Sequence, residues 1–245
     1  MMKIDSRMSG ILSLITTIAM AALCVVCEAA ATDYKTIKTI SVGKNVGSTV
    51  TWQVTASQED AGKNYPQLPA KICFSNASMS TQQCELAGGV EVIGDLEVIH
   101  FQDKEEPSSG VLLKTNTYAI GGGPTFMSLW VYDKAAQRFR NILPAKMRVP
   151  ALGAYKFFPS LQGKIVLIIT YPARLIDYDA AIDDPNRETI WSPHHYVVDI
   201  YRYASDKGFS KTRSFKTTRK YDPEDEERTL IDCEMKTIKR LLKDK

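Results

Sequence analysis

Lys164-Ile165-Val166-Leu167-Ile168-Ile169-Thr170 sets five apolar residues in a row with no polar residue between them. A strand with one face in water alternates, so this run reads as a central strand buried on both faces. Outward from it, the chain repeats a half-buried pattern. In Thr49-Val50-Thr51-Trp52-Gln53-Val54-Thr55 polar and apolar residues alternate, which puts Val50, Trp52 and Val54 on one face. Similar strand candidates are Lys35–Val42, Lys71–Ser75, Val90–Phe101, Val111–Tyr118, Ser128–Tyr132, Phe139–Leu143, Ala154–Phe158, His195–Tyr203 and Phe209–Lys216. Gly94-Asp95 is expected to break the run Val90–Phe101 into a hairpin, since such a pair between apolar runs suits a tight turn. The expected fold class is mainly β: an antiparallel β-sandwich or a partial propeller-like array with one C-terminal amphipathic α-helix.

That helix is expected over about 222–243. Asp222 is placed to cap it, Pro223 suits its first turn, and Glu224, Asp225, Glu226 and Glu227 set negative charge at the positive end of the dipole. Leu230, Ile231, Met235, Ile238, Leu241 and Leu242 follow in one stripe at helical spacing, expected to pack on the sheet. Cys233 falls nearly opposite the stripe, beside Lys236 and Arg240, and is expected to be exposed and unpaired, a site for an intermolecular disulfide.

At the other end, Lys3 and Arg7 precede an uncharged run from Ile11 to Val26. The run falls short of the ~20 apolar residues of a membrane span. Ala29 and Ala31 then stand where a signal peptidase accepts small residues. Residues 1–31 therefore read as a signal peptide cleaved after Ala31, with cleavage after Ala29 the nearest alternative. Residues 32–245 read as a single β-rich domain that does not span a membrane, periplasmic or secreted. A candidate sub-boundary lies at 103–109, where charged residues, Pro107 and Gly110 cluster.

Composition narrows the rest. With 44% hydrophobic and 24% charged residues the chain can bury a core, and a net charge of +3 gives no reason to expect nucleic acid as a partner. Export makes the cysteines readable as bridges. Cys73 and Cys84 flank a polar turn, Asn76 to Gln83, and are expected to form a disulfide.

Leu129-Trp130-Val131-Tyr132-Asp133 leads through a polar turn to Arg138-Phe139-Arg140, and Asp199-Ile200-Tyr201-Arg202-Tyr203 leads through Ala204–Gly208 to Phe209. Each is an aromatic-rich strand, a turn and a second strand opening on Phe. The pattern is similar to the outer hairpins of β-propeller blades of the integrin-type repeat class, over these two short segments, and generic hairpins share it. Those repeats also carry an acidic calcium loop. Before Ile165 this chain has Ser160-Leu161-Gln162-Gly163-Lys164, which has no acidic ligand.

Chemical signatures are sparse. No G-x-S-x-G elbow is present, and no catalytic residue is nominated. His194 and His195 would point to opposite faces of a strand and read as a surface pair, while His100 reads as a strand-end residue. Asp177, Asp179, Asp183 and Asp184 are weak metal candidates. Ala181 and Ile182 occupy positions where a calcium loop needs an oxygen ligand and a glycine, so a solvated loop is the plainer reading. No cofactor is expected. Recognition loops are expected at Gly121, Gly122 and Gly123, and around Trp191 in the long segment Pro172–Pro193. Lys211, Arg213, Lys216, Arg219 and Lys220 read as charges guarding an edge strand rather than as an anionic-surface site. Function is expected to be that of an exported, non-catalytic binding or interaction protein with an unknown protein or extracytoplasmic ligand. The alternatives are an exported hydrolase with acids such as Asp177, Asp179 or Asp183 converging only in the fold, and a calcium-stabilised structural β-module.

Overall fold

The computed structural model describes residues 34–60, 66–80, 82–87, 92–101, 109–116, 123–145, 147–150, 153–173, 192–222 and 230–243. The strands run in chain order through three antiparallel sheets. The first holds β1 (Tyr34–Val42), β2 (Trp52–Glu59), β3 (Ala70–Ser75) and β4 (Gln83–Ala87). The second holds β5 (Val92–His100), β6 (Ser109–Asn116), β7 (Thr125–Asp133) and β8 (Arg138–Asn141), with the short β9 (Arg148–Val149) also paired to β7. The third holds β10 (Ala154–Leu161), β11 (Lys164–Pro172), β12 (Tyr196–Ala204) and β13 (Gly208–Lys216), and the helix α1 (Ile231–Lys243) follows. These elements belong to one compact unit, Tyr34–Lys245.

Three apolar layers hold the sheets and helix together. The first joins Trp52, Val54, Ile72 and Phe74 of the first sheet to Leu96, Val111, Leu113, Trp130 and Phe139 of the second. The second joins Leu112, Leu129 and Val131 on the opposite face of that sheet to Ile165, Leu167, Ile169 and Phe209 of the third. The third sets Val166, Ile168, Val198 and Ile200 against Leu230, Ile231, Ile238 and Leu242 of the helical segment. The period of two explains the sharing: Leu112 and Leu113 are neighbours in sequence, point to opposite faces and are both fully buried. The stretch Ile165–Ile169 divides in the same way and lies on an interior strand, as its lack of alternation predicts.

Local chemistry accounts for the turns. Gln162 and Gly163 have φ of 56° and 70°, the two left-handed residues that a type I′ hairpin requires between Leu161 and Lys164. The two hairpins that resemble each other are β7–β8 and β12–β13, and each sets its aromatic pair across the ladder. Tyr132 faces Phe139 at 5.5 Å and Tyr203 faces Phe209 at 5.6 Å between ring centroids. Cys73 and Cys84 are direct partners on β3 and β4 and form the expected disulfide, which for so short a loop contributes roughly 2–3 kcal/mol. At the outer edges, Gln83 of β4 completes the ladder of β8: its Nε2 donates to the Phe139 carbonyl at 2.6 Å and its Oε1 accepts from the Phe139 N–H at 2.9 Å.

Three readings are corrected. Gly94-Asp95 makes no hairpin: β5 runs unbroken from Val92 to His100 with a bulge between Ile93 and Asp95. A side chain at Gly94 would have to push the Asn116 amide aside, and Asp95 is held by Lys114 across the ladder, so the glycine sits in a bulge within the strand. Val50 is 40% exposed and precedes β2, because Ser48 Oγ accepts from both Val50 N and Trp52 Nε1 and bends the chain there. His194 is buried rather than on the surface: its backbone forms a two-way bridge with Tyr221, and its ring meets Tyr196 edge-on at 6.4 Å. The described α-helix runs over Ile231–Lys243, and the first turn that Asp222 was expected to cap lies outside the described residues.

The helix packs inward through the expected stripe, with Cys233 exposed and outside any disulfide. Residues 223–229, which include the expected first turn, lie outside the described residues, as do residues 1–33 and most of the candidate boundary 103–109. Among the described residues, no helix is long and apolar enough to cross a membrane.

Candidate functional site

Between the second and third sheets the edge strands β5 and β10 leave a groove of about 790 Å³. It opens over the second apolar layer, so its floor is greasy: Ile99, Val149 and Phe157 line it and also border that layer. Gly153 belongs to the wall, where a Cβ would press on the carbonyls of Pro150 and Thr170. A glycine there keeps the chain close to β11.

Polar groups stand around this floor. His100 closes β5, with Nδ1 2.9 Å from Ser109 Oγ across the ladder, which fits its reading as a strand-end residue. Thr125 and Tyr155 line the groove, and at its far side Lys156 Nζ donates to Asp232 Oδ1 at 3.2 Å, tying β10 to α1. Burial pushes the Tyr155 hydroxyl above its ordinary range, with the neighbouring Lys114 opposing. Tyr155 therefore stays protonated and able to donate throughout neutral pH.

Beside the groove a chain of charges crosses all three sheets. Lys38 on β1 pairs with Asp95 on β5. Lys114 on β6 lies 3.3 Å from Asp95 and 2.9 Å from Glu97, and it is hydrogen-bonded to Tyr155 on β10. Burial works to lower the Lys114 pKa, but its bonds to Glu97 and Tyr155 outweigh that and raise it. Asp95 is held down to about 2, first by the hydrogen bond from Lys38, against burial. A carboxylate depressed in the folded chain stabilises it above the unfolded value of ~3.9, and that contribution disappears as pH falls through ~2. The stability difference between the wild type and Asp95→Asn should therefore shrink between pH ~4 and ~2 in acid titrations followed by urea unfolding. The Lys38 and Asp95 side chains are 45% and 33% exposed, so water screens the pair and the whole effect should stay under ~1 kcal/mol.

A buried carboxylate elsewhere is structural. Asp199 on β12 is 4% exposed and accepts from Ser214 Oγ at 2.6 Å, Lys211 Nζ at 3.2 Å and Tyr171 Oη at 3.3 Å. It takes Lys211 out of the basic run, while β13 is the edge strand that the run was expected to mark.

The expected site residues are only partly placed. Gly123 lies just before β7 and is not among the residues lining the groove, whereas Gly121, Gly122, Trp191 and the acidic set Asp177, Asp179, Asp183 and Asp184 lie outside the described residues. Among the described residues no three His, Cys, Asp or Glu side chains converge as a metal cage. The groove and the Lys38–Asp95–Lys114 chain were not foreseen. For Asp199 a signal existed, since it is the one charged residue within Tyr196–Ile200. No family model matches this chain, and neither a curated protein nor a solved structure matches it.

Proposed function

We propose that this chain is an exported binding protein without catalytic machinery of its own, whose ligand sits between β5 and β10. The observation that carries the reading is the groove: its volume lies within the ~300–1,000 Å³ usual for small-ligand sites, and an apolar floor is ringed by a few polar groups. A partly aromatic ligand would lie on Phe157 and Ile99, with hydrogen bonds to Tyr155, Thr125 or His100 fixing its orientation. Delivery to an oxidising compartment is supported by the leader-like residues 1–31 and is compatible with the Cys73–Cys84 bridge.

For the architecture, a propeller-like stack of blades is the better reading than a sandwich. Each sheet of a two-sheet sandwich packs through one inner face, but here the second sheet has an apolar layer on both faces. Ends of such a stack need covers. The first sheet turns Gln53, Thr55 and Ser75 outward, and α1 covers the third sheet.

The binding reading is tested by adding small aromatic fragments to the ¹⁵N-labelled chain. Amide shifts should move at Ile99, His100 and Ala154–Phe157. Shifts scattered over the surface, or none at all, would contradict it.

A further inference from the structure

The third sheet carries a second concavity, separate from the groove, on the face that α1 covers. Alternate residues of β11 and β12 share that face. On β11 Ile168 and Val166 are buried in the layer under the helix, and the row ends at Lys164, which is exposed. On β12 Val198 and Ile200 are buried there, and the row ends at the half-buried Arg202. The face thus changes within one step of each row from apolar to cationic. A pocket of about 450 Å³ lies there, lined by Lys164, Arg202, Ser205, Asp206, Ser210 and Thr212 among others.

We propose that this pocket binds a phosphate group. Neither Lys164 nor Arg202 forms an ion pair with another described residue, and a guanidinium drawn partly out of water gains from an oxyanion able to take two parallel N–H···O bonds. Ser210, opposite Arg202 on β13, has a hydroxyl with no hydrogen bond to another described side chain. Thr212 donates its own to the Ile200 carbonyl at 3.1 Å and so serves as wall. Lys164, Arg202 and Ser210 offer donors from the adjacent strands β11, β12 and β13 on one face, enough to engage more than one oxygen of a phosphate. Asp206 is the opposing charge; it makes its side of the pocket unfavourable to an anion and leaves the Lys164 and Arg202 side as the seat.

The walls are fixed in advance, which lowers the cost of ordering them around a ligand. Arg140 of β8 donates to the Ser205 carbonyl at 2.7 Å, and the Phe209 N–H donates to the Ile142 carbonyl at 2.7 Å, so the β12–β13 turn is pinned to the second sheet. On the other side Gln162 Nε2 donates to the Lys239 carbonyl at 2.9 Å and pins the β10–β11 turn to the helix.

Inorganic phosphate is the first probe and vesicles of phosphatidylglycerol are the second. Binding by the folded chain alone raises the melting temperature by mass action, so phosphate well above its Kd should add a few degrees that sodium chloride of equal ionic strength does not. Arg202→Gln should abolish that rise and Lys164→Gln should reduce it, with both variants melting like the wild type in chloride. A thermal rise without vesicle binding assigns the site to a free phosphate compound. Co-sedimentation with phosphatidylglycerol but not phosphatidylcholine vesicles, lost in Arg202→Gln, assigns it to a lipid headgroup. No response to either probe, or responses that Arg202→Gln leaves intact, would overturn the proposal.

Discussion

Ile238→Asp should cost at least about 4 kcal/mol and lower the melting temperature by well over ten degrees, the largest effect expected of any single exchange in the helix. Ile238 is fully buried between α1 and the third sheet, among Val166, Ile168, Val198 and Ile200. The exchange removes a branched apolar side chain and puts an ionisable carboxyl into an apolar layer. Lys239→Asp, one residue on and exposed, is the control and should change stability by no more than ~0.5 kcal/mol. An Ile238→Asp chain that melts like the wild type would mean that the stripe of α1 does not pack on this sheet.

Phe139→Ala should cost about 3–5 kcal/mol, read as a lower urea midpoint with an unchanged slope. β8 has only four residues, yet Phe139 is 1% exposed and holds the first apolar layer together. Its ring stacks on Phe74 at 4.2 Å and meets Trp52 edge-on at 5.2 Å, and both of those belong to the first sheet. Aromatic pairs of this geometry add to plain burial, and a void left at the junction of two sheets cannot easily collapse. A loss below about 1 kcal/mol would show that the first two sheets do not depend on this contact.

Strand positions were legible because alternation is a local property. Val54 and Trp52 face the core as their spacing requires, and Ile165–Ile169 reveals its two-sided burial by lacking alternation. Which sheet covers which face is not local. Leu112 and Leu113 carry no mark saying that one meets the third sheet and the other the first. Gly94-Asp95 was misread because turns and bulges both favour glycine, and only the pairing of β5 with β6 on both sides of Gly94 separates them. His194 was misread because its cover is supplied by Tyr221, beyond two intervening strands. The groove was illegible for the same reason: Ile99, Thr125, Val149, Phe157 and Asp232 come from five separate elements and form no motif. Chemistry that depends on meeting in space leaves little trace along the chain.

The central claim is that the second sheet is buried on both faces, which is what places β5 beside β10 and opens the groove between them. Methyl-to-methyl nuclear Overhauser effects test it most directly, because Leu112 and Leu113 are sequence neighbours. Leu113 should show cross-peaks to Val54 or Ile72 of the first sheet, and Leu112 to Ile165, Leu167 or Ile169 of the third. Cross-peaks from both leucines to one sheet, or broadening of either by a soluble paramagnetic agent, would contradict the stacked arrangement.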